Sequence, residues 1–133
     1  MGKLITVVGA AIVHDGRILA AQRGPGRPMA GYWEFPGGKT ESQETARAAL
    51  EREIREELHC TISVRDEVCT STYDYDFGTV QLTVFICTLV EGAPRLTEHS
   101  TITWVTPAQM GELDWAPADR EAVEILAAAT FQP

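Results

Sequence analysis

The chain has few cysteines, no surplus of basic residues and no long apolar run, and each shortage excludes a class of protein. Its cysteines, Cys60, Cys69 and Cys87, are odd in number and lack the close spacing of metal-binding thiolates. A disulfide scaffold and a thiolate metal site are therefore disfavoured, and a reduced intracellular setting is expected. Lys and Arg total 11 against 19 Asp and Glu, a net charge of −8. With no basic stripe, a nucleic-acid polymer is not the expected partner. No segment approaches the length of a membrane span, and the N-terminus carries one Lys without an apolar run leading to a cleavage pattern. A cytoplasmic protein without a membrane partner is expected. Repeats, low-complexity tracts and linkers are missing as well. What remains is ordinary: 133 residues, 44% apolar and 23% charged. One domain, 1–133, with a buried core fits that length and composition.

Leu4 to Val13 is rich in β-branched residues and predicts a strand; Asp15-Gly16 is a hairpin signal, and Arg17 to Gln22 returns. Gly24 to Gly31 reads as a loop, and Trp33 to Phe35 as a short extended piece before Pro36. Thr45 is placed to N-cap a helix running to about Leu58. Further strands are expected within Thr61 to Thr72, through Val80, Leu82, Val84 and Ile86, and at Thr101 to Val105, with a hairpin over Tyr73 to Gly78. Thr106-Pro107 opens a short helix, and Pro117 to about Ala129 reads as the last one, with Val123, Leu126 and Ala127 as its inner face. Strands interrupted by two main helices make an α+β fold.

Charge is concentrated within the helix that Thr45 would cap. In Arg52-Glu53-Ile54-Arg55-Glu56-Glu57, Arg52, Glu56, Glu53 and Glu57 share an arc of about 140° at 100° per residue. Leu50, Ile54 and Leu58 form an apolar stripe beside it. Taken alone, a run of Glu and Arg is usually a solvated helix face. Like charges at i,i+4 repel, however, and a bound cation would reverse that; hard divalent ions prefer oxygen ligands.

The wider spacing raises the odds of a site. Gly38, five residues, Glu44, seven residues, Arg52-Glu53-Ile54, one residue and Glu56-Glu57 resemble the Nudix box, with seven positions in register across twenty residues. The pattern continues with a Gly and an aliphatic where this chain has His59 and Cys60. A cationic His tolerates positive φ and suits a helix C-terminus, and Cys is a small hydrophobe, so the ending of the helix is in question rather than the carboxylates. The resemblance implies the Nudix fold, a mixed sheet sandwiched between helices (α/β/α), and metal-assisted hydrolysis of a phosphoanhydride. It implies Mg²⁺, or Mn²⁺, held by Glu53, Glu56, Glu57 and the Gly38 carbonyl, with Arg52 orienting the carboxylates. Glu44 lies near the helix start, where the dipole alone favours a carboxylate, so its role stays open. Glu98, just before the strand Thr101–Val105, stands where MutT-like members carry a general base; Glu53 and Glu56 remain alternatives, and His99 beside it is read as incidental.

Resemblance to the MutT branch, and within it to CTP pyrophosphohydrolases, extends through Ala20-Ala21-Gln22-Arg23, Gly31-Tyr32-Trp33-Glu34-Phe35-Pro36-Gly37-Gly38 and Trp115-Ala116-Pro117-Ala118-Asp119. It implies that Asp119 reads the base edge, that Phe35 packs on the base, and that Arg23 contacts base or phosphates; Lys39, a cation near the motif in an acidic chain, is a further candidate to bind the anionic substrate. An ionised Asp only accepts hydrogen bonds, which suits the N4 amine of cytosine or 5-methylcytosine. Guanine also presents N–H donors, and Asp119 could simply cap a helix, just as Phe35 could be ordinary core. Tyr73 and Tyr75 could line the pocket or only cover the sheet. The expected activity is hydrolysis of CTP, dCTP or 5-methyl-dCTP to monophosphate and pyrophosphate, with attack at the β-phosphorus implied by the MutT resemblance. The rivals are a diphosphatase for 8-oxo-dGTP or another damaged purine, and a non-catalytic nucleotide-binding module, which would be expected to lose carboxylates that this chain retains. A small-molecule nucleotide is the expected partner, and monomer and homodimer are both open.

Overall fold

The computed structural model describes residues 3–95 and 101–129. β1 (Leu4–His14) and β2 (Arg17–Gln22) form the expected hairpin, its two-residue turn made by Asp15 at φ 52° and Gly16 at φ 74°. Positive φ at both positions matches the twist of the flanking strands. β3 (Trp33–Glu34) and β4 (Gly37–Lys39) are short, α1 is Ala46–Leu58, and β5 (Thr61–Tyr75) pairs antiparallel with β6 (Gly78–Glu91). β7 is Thr101–Val105 and α2 is Arg120–Ala127.

The sheet runs β3-β2-β1-β6-β5, with β4 also on β1 and β7 also on β2. β1 is its axis: β6 lies parallel along one edge, while β2 and β4 share the other, antiparallel. Alternation along β1 separates two cores. Val8, Ala10 and Ile12 pack with Ala49, Leu50, Ile54 and Leu58 of α1; Ala11 packs on the other face with Ala122, Val123 and Leu126 of α2. Helices thus cover both faces of a mixed sheet, the expected α+β sandwich.

Some expectations need correction. β5 continues through Tyr73 and Tyr75, aromatic residues that favour strands, so only Asp76-Phe77 turns the hairpin. Pro107–Glu112 is a 3-10 helix, and the last helix begins as a 3-10 turn, Pro117–Asp119. Ala127 is exposed, and Ala122 takes the inner place instead.

Candidate active site

The acidic helix is built as its spacing predicts. The Thr45 hydroxyl caps it, accepting from Ala48 N at 3.1 Å, and Leu50, Ile54 and Leu58 are fully buried. His59 ends it in the left-handed region, φ 56° and ψ 37°, and its N–H bonds the Arg55 carbonyl. Burying that stripe turns the acidic arc toward β4, which antiparallel pairing with β1 brings to the helix, Val8 opposite Gly38.

Arg52 organises the arc. Its Nε and Nη2 grip Glu44 at 2.7 and 3.0 Å, Nη1 reaches Glu53 at 3.0 Å and Glu56 at 3.1 Å, and Nη2 also bonds the Lys39 carbonyl at 3.3 Å. Hydrogen bonds from Arg52, then from Glu41 N, hold the Glu44 carboxyl at a pKa of about 2, and the same pairing raises that of Arg52. Glu44, left open by its place at the helix start, is therefore the forked partner of Arg52. The three carboxylates of the arc differ in setting: the side chain of Glu53 is 17% exposed and that of Glu56 60%, whereas Glu57 is buried.

Gly38 and Glu53 form a cradle. A Cβ at Gly38 would run into the Glu53 carboxyl group, so only glycine lets that carboxylate lie against the β4 backbone. Gly38, Glu53 and Glu57 line one cavity of about 550 Å³, and Glu56 stands outside it. Carboxylate and carbonyl oxygens are the donors a hard divalent cation prefers. Among the described residues, no three carboxylate, His or Cys side chains are already gathered as a clasp; Glu53 and Glu56 are drawn instead onto the guanidinium of Arg52. The donor set fits Mg²⁺ or Mn²⁺ as an incomplete cage, which Mg²⁺ commonly occupies together with water and substrate oxygens.

The same cavity extends to Arg23, Phe35, Lys39 and Asp119. Arg23 bonds Glu34 at 2.8 Å, so a neighbour the sequence reading passed over holds it in place. Phe35 is 3% exposed with its ring 4.9 Å from that of Trp115, and it forms part of the core as well as the cavity wall. Asp119 is 5% exposed; its side chain makes no helix cap and instead accepts a hydrogen bond at Oδ2 from Phe35 N at 3.0 Å. Burial raises its pKa well above the usual carboxylate range, against the lowering effect of that bond. Tyr75 also lines the cavity, and its hydroxyl accepts from Ala118 N at 2.9 Å. Tyr73 and Tyr75 share one face of β5, a spacing visible in the sequence; that Tyr75, with Phe77 of the turn, reaches the cavity depends on the β5–β6 register. Glu98 and His99 lie outside the described residues.

A family model for the NUDIX domain matches residues 7–124. The chain belongs to the Nudix hydrolase family. Among similar Nudix proteins is the "Putative 8-oxo-dGTP diphosphatase 2" of Mycobacterium tuberculosis, 39% identical over 91% of this chain and 86% of that one. The CTP pyrophosphohydrolase of Escherichia coli K12 is 37% identical over 92% of this chain and 90% of its own. In structure, the MutT protein of methicillin-resistant Staphylococcus aureus 252 is similar with a TM-score of 0.79, 49% identical, covering 96% of this chain and 98% of that one. Among the described residues of this Nudix chain, no helix is long and apolar enough to cross a membrane.

Proposed function

We propose that this Nudix hydrolase is a metal-dependent nucleoside triphosphate pyrophosphohydrolase that prefers cytosine nucleotides, converting CTP, dCTP or 5-methyl-dCTP with water to the monophosphate and pyrophosphate. The observation that carries the reading is the cavity lined both by Gly38, Glu53 and Glu57 and by Phe35 and Asp119. In this reading, Gly38, Glu53, Glu56 and Glu57 would hold Mg²⁺ or Mn²⁺. When bound, the ion supplies charge neutralisation at the phosphate oxygens and lowers the pKa of water. Arg52 orients the carboxylates, as neighbours of metal ligands do. Arg23 and Lys39 bring positive charge to the cavity of a chain whose net charge is −8. Glu98 is the proposed general base by resemblance, with Glu53 and Glu56 as alternatives.

Base preference rests on Asp119. Its Oδ2 is engaged by Phe35 N, which leaves Oδ1 to meet a base. Ionised, Oδ1 accepts from the cytosine N4 amine. One observation favours the second reading, an 8-oxo-dGTP diphosphatase: burial raises the Asp119 pKa, and a neutral acid also donates, which suits an oxidised purine edge. Measuring kcat/KM with Mg²⁺ for CTP, dCTP, 5-methyl-dCTP, dGTP and 8-oxo-dGTP decides between them. A preference for 8-oxo-dGTP of about 10-fold, roughly 1.4 kcal/mol, would overturn the cytosine reading, and no turnover of any nucleotide would overturn the activity. Asp119→Asn should change the ratio between bases rather than lower every rate equally.

A further inference from the structure

We propose that Tyr75 is a positioning residue for base selection, holding the turn that carries Asp119 through its hydroxyl; this rests on the reading that Asp119 meets the base. Asp119 closes the 3-10 turn Pro117–Asp119, and that turn lacks a conventional cap. Ala116 stands at the cap position, where it has no side-chain acceptor, and Pro117 has no N–H. The Ala118 N–H is left to be satisfied from elsewhere. Tyr75, 43 residues earlier on β5, satisfies it at 2.9 Å. A second tether fixes the side chain itself, since Oδ2 of Asp119 accepts from Phe35 N. One bond therefore sets the height of the backbone and the other sets the direction of the carboxylate.

The hydroxyl of Tyr75 is itself held in place. Its ring lies 4.9 Å from that of Tyr73 and stacks on Phe77 at 5.0 Å with an interplanar angle of 8°. Burial raises the pKa of the phenol, which keeps it in the neutral form. Tyr75 makes no hydrogen bond to α1 or β4, so loss of its hydroxyl should reach the base end of the cavity and leave the carboxylates in place.

Two measurements on the full chain test this. Tyr75→Phe keeps the ring and removes only the oxygen. The ratio of kcat/KM for CTP over dGTP is expected to fall about fivefold, the size of one ordinary hydrogen bond, through KM more than kcat. In an Asp119→Ala background, the same change should move the ratio less than about twofold. An equal loss for both nucleotides, or a ratio unmoved by Tyr75→Phe while Asp119→Ala still moves it, overturns the positioning role alone. A ratio unmoved by Asp119→Ala removes the base-reading role of Asp119, and the inference with it. Amide hydrogen exchange supplies a readout independent of activity: Tyr75→Phe should speed exchange at Ala118 and leave the α1 amides unchanged. Unchanged exchange at Ala118 overturns the proposal.

Discussion

Arg52 directs five hydrogen bonds to four groups: Glu44 twice, Glu53, Glu56 and the Lys39 carbonyl. Only a planar guanidinium has that many donors in a fixed fork; a Lys ammonium has three and no fork. Arg52→Lys should therefore leave the fold intact but lower kcat/KM by about 10–100-fold, the usual cost of losing a residue that orients metal ligands. Activity within twofold of the parent would show that the carboxylates orient themselves. Glu44 gives a pH test of the same hub. Its folded pKa of about 2 lies below the ordinary 4.5, so the ionised form stabilises the protein above pH 4.5. That contribution is lost as pH falls toward 2. Glu44→Gln is expected to flatten the acid limb of a stability–pH curve across that window, and an unchanged limb would contradict the pairing.

At the scale of elements, α1 was legible from its cap through the acidic arc because those signals are local, while its ending at His59 was left in question. The Thr45 cap, the buried stripe and the acidic arc all follow from 3.6-residue spacing, and His59 adopts the positive φ that the sequence asks of it. β4 was not legible: Gly37-Gly38-Lys39 has no strand pattern, and its pairing comes from β1 about thirty residues earlier. For the same reason the end of β5 was misjudged, since Tyr73 and Tyr75 are held by Val80 and Gly78 across the hairpin. The Pro117–Asp119 turn is tied to Tyr75 and Phe35 by tertiary bonds that no local spacing shows. The helix end offers its own prediction. A non-glycine residue in the left-handed region is strained by about 1 kcal/mol, partly offset by the extra freedom glycine gives the unfolded chain. His59→Gly should stabilise by roughly 0.5 kcal/mol, read from denaturant midpoints, with kcat/KM unchanged. Destabilisation would mean that the imidazole contributes more at the helix terminus than its backbone geometry costs.

For the whole molecule, topology explains why the site was readable only in pieces. Residues from β1, β3, β4, α1, β5, β6, the loop after β2 and the Pro117–Asp119 turn meet in one cavity, and nothing in the spacing between Arg23, Glu53 and Asp119 says so. Resemblance brought them to one site where local periodicity could not; Glu34 was given no role and Tyr75 was left between pocket and sheet cover, because their partners meet them only once the sheet is assembled. The assembled chain also carries a net charge of −8, and its acidic arc adds local repulsion that a divalent ion would relieve. Any salt screens the global charge, whereas a site formed by Glu53, Glu56, Glu57 and Gly38 should discriminate by valence and coordination. Saturating Mg²⁺ is therefore expected to raise Tm by several degrees beyond NaCl at the same ionic strength, because a ligand at 100 times its Kd stabilises the folded state by about 2.7 kcal/mol. Excess chelator should remove the increment, and Glu57→Gln should shrink it without abolishing folding. If Mg²⁺ and matched NaCl shift Tm equally, the cation is acting on net charge alone and the carboxylate arc is a solvated face.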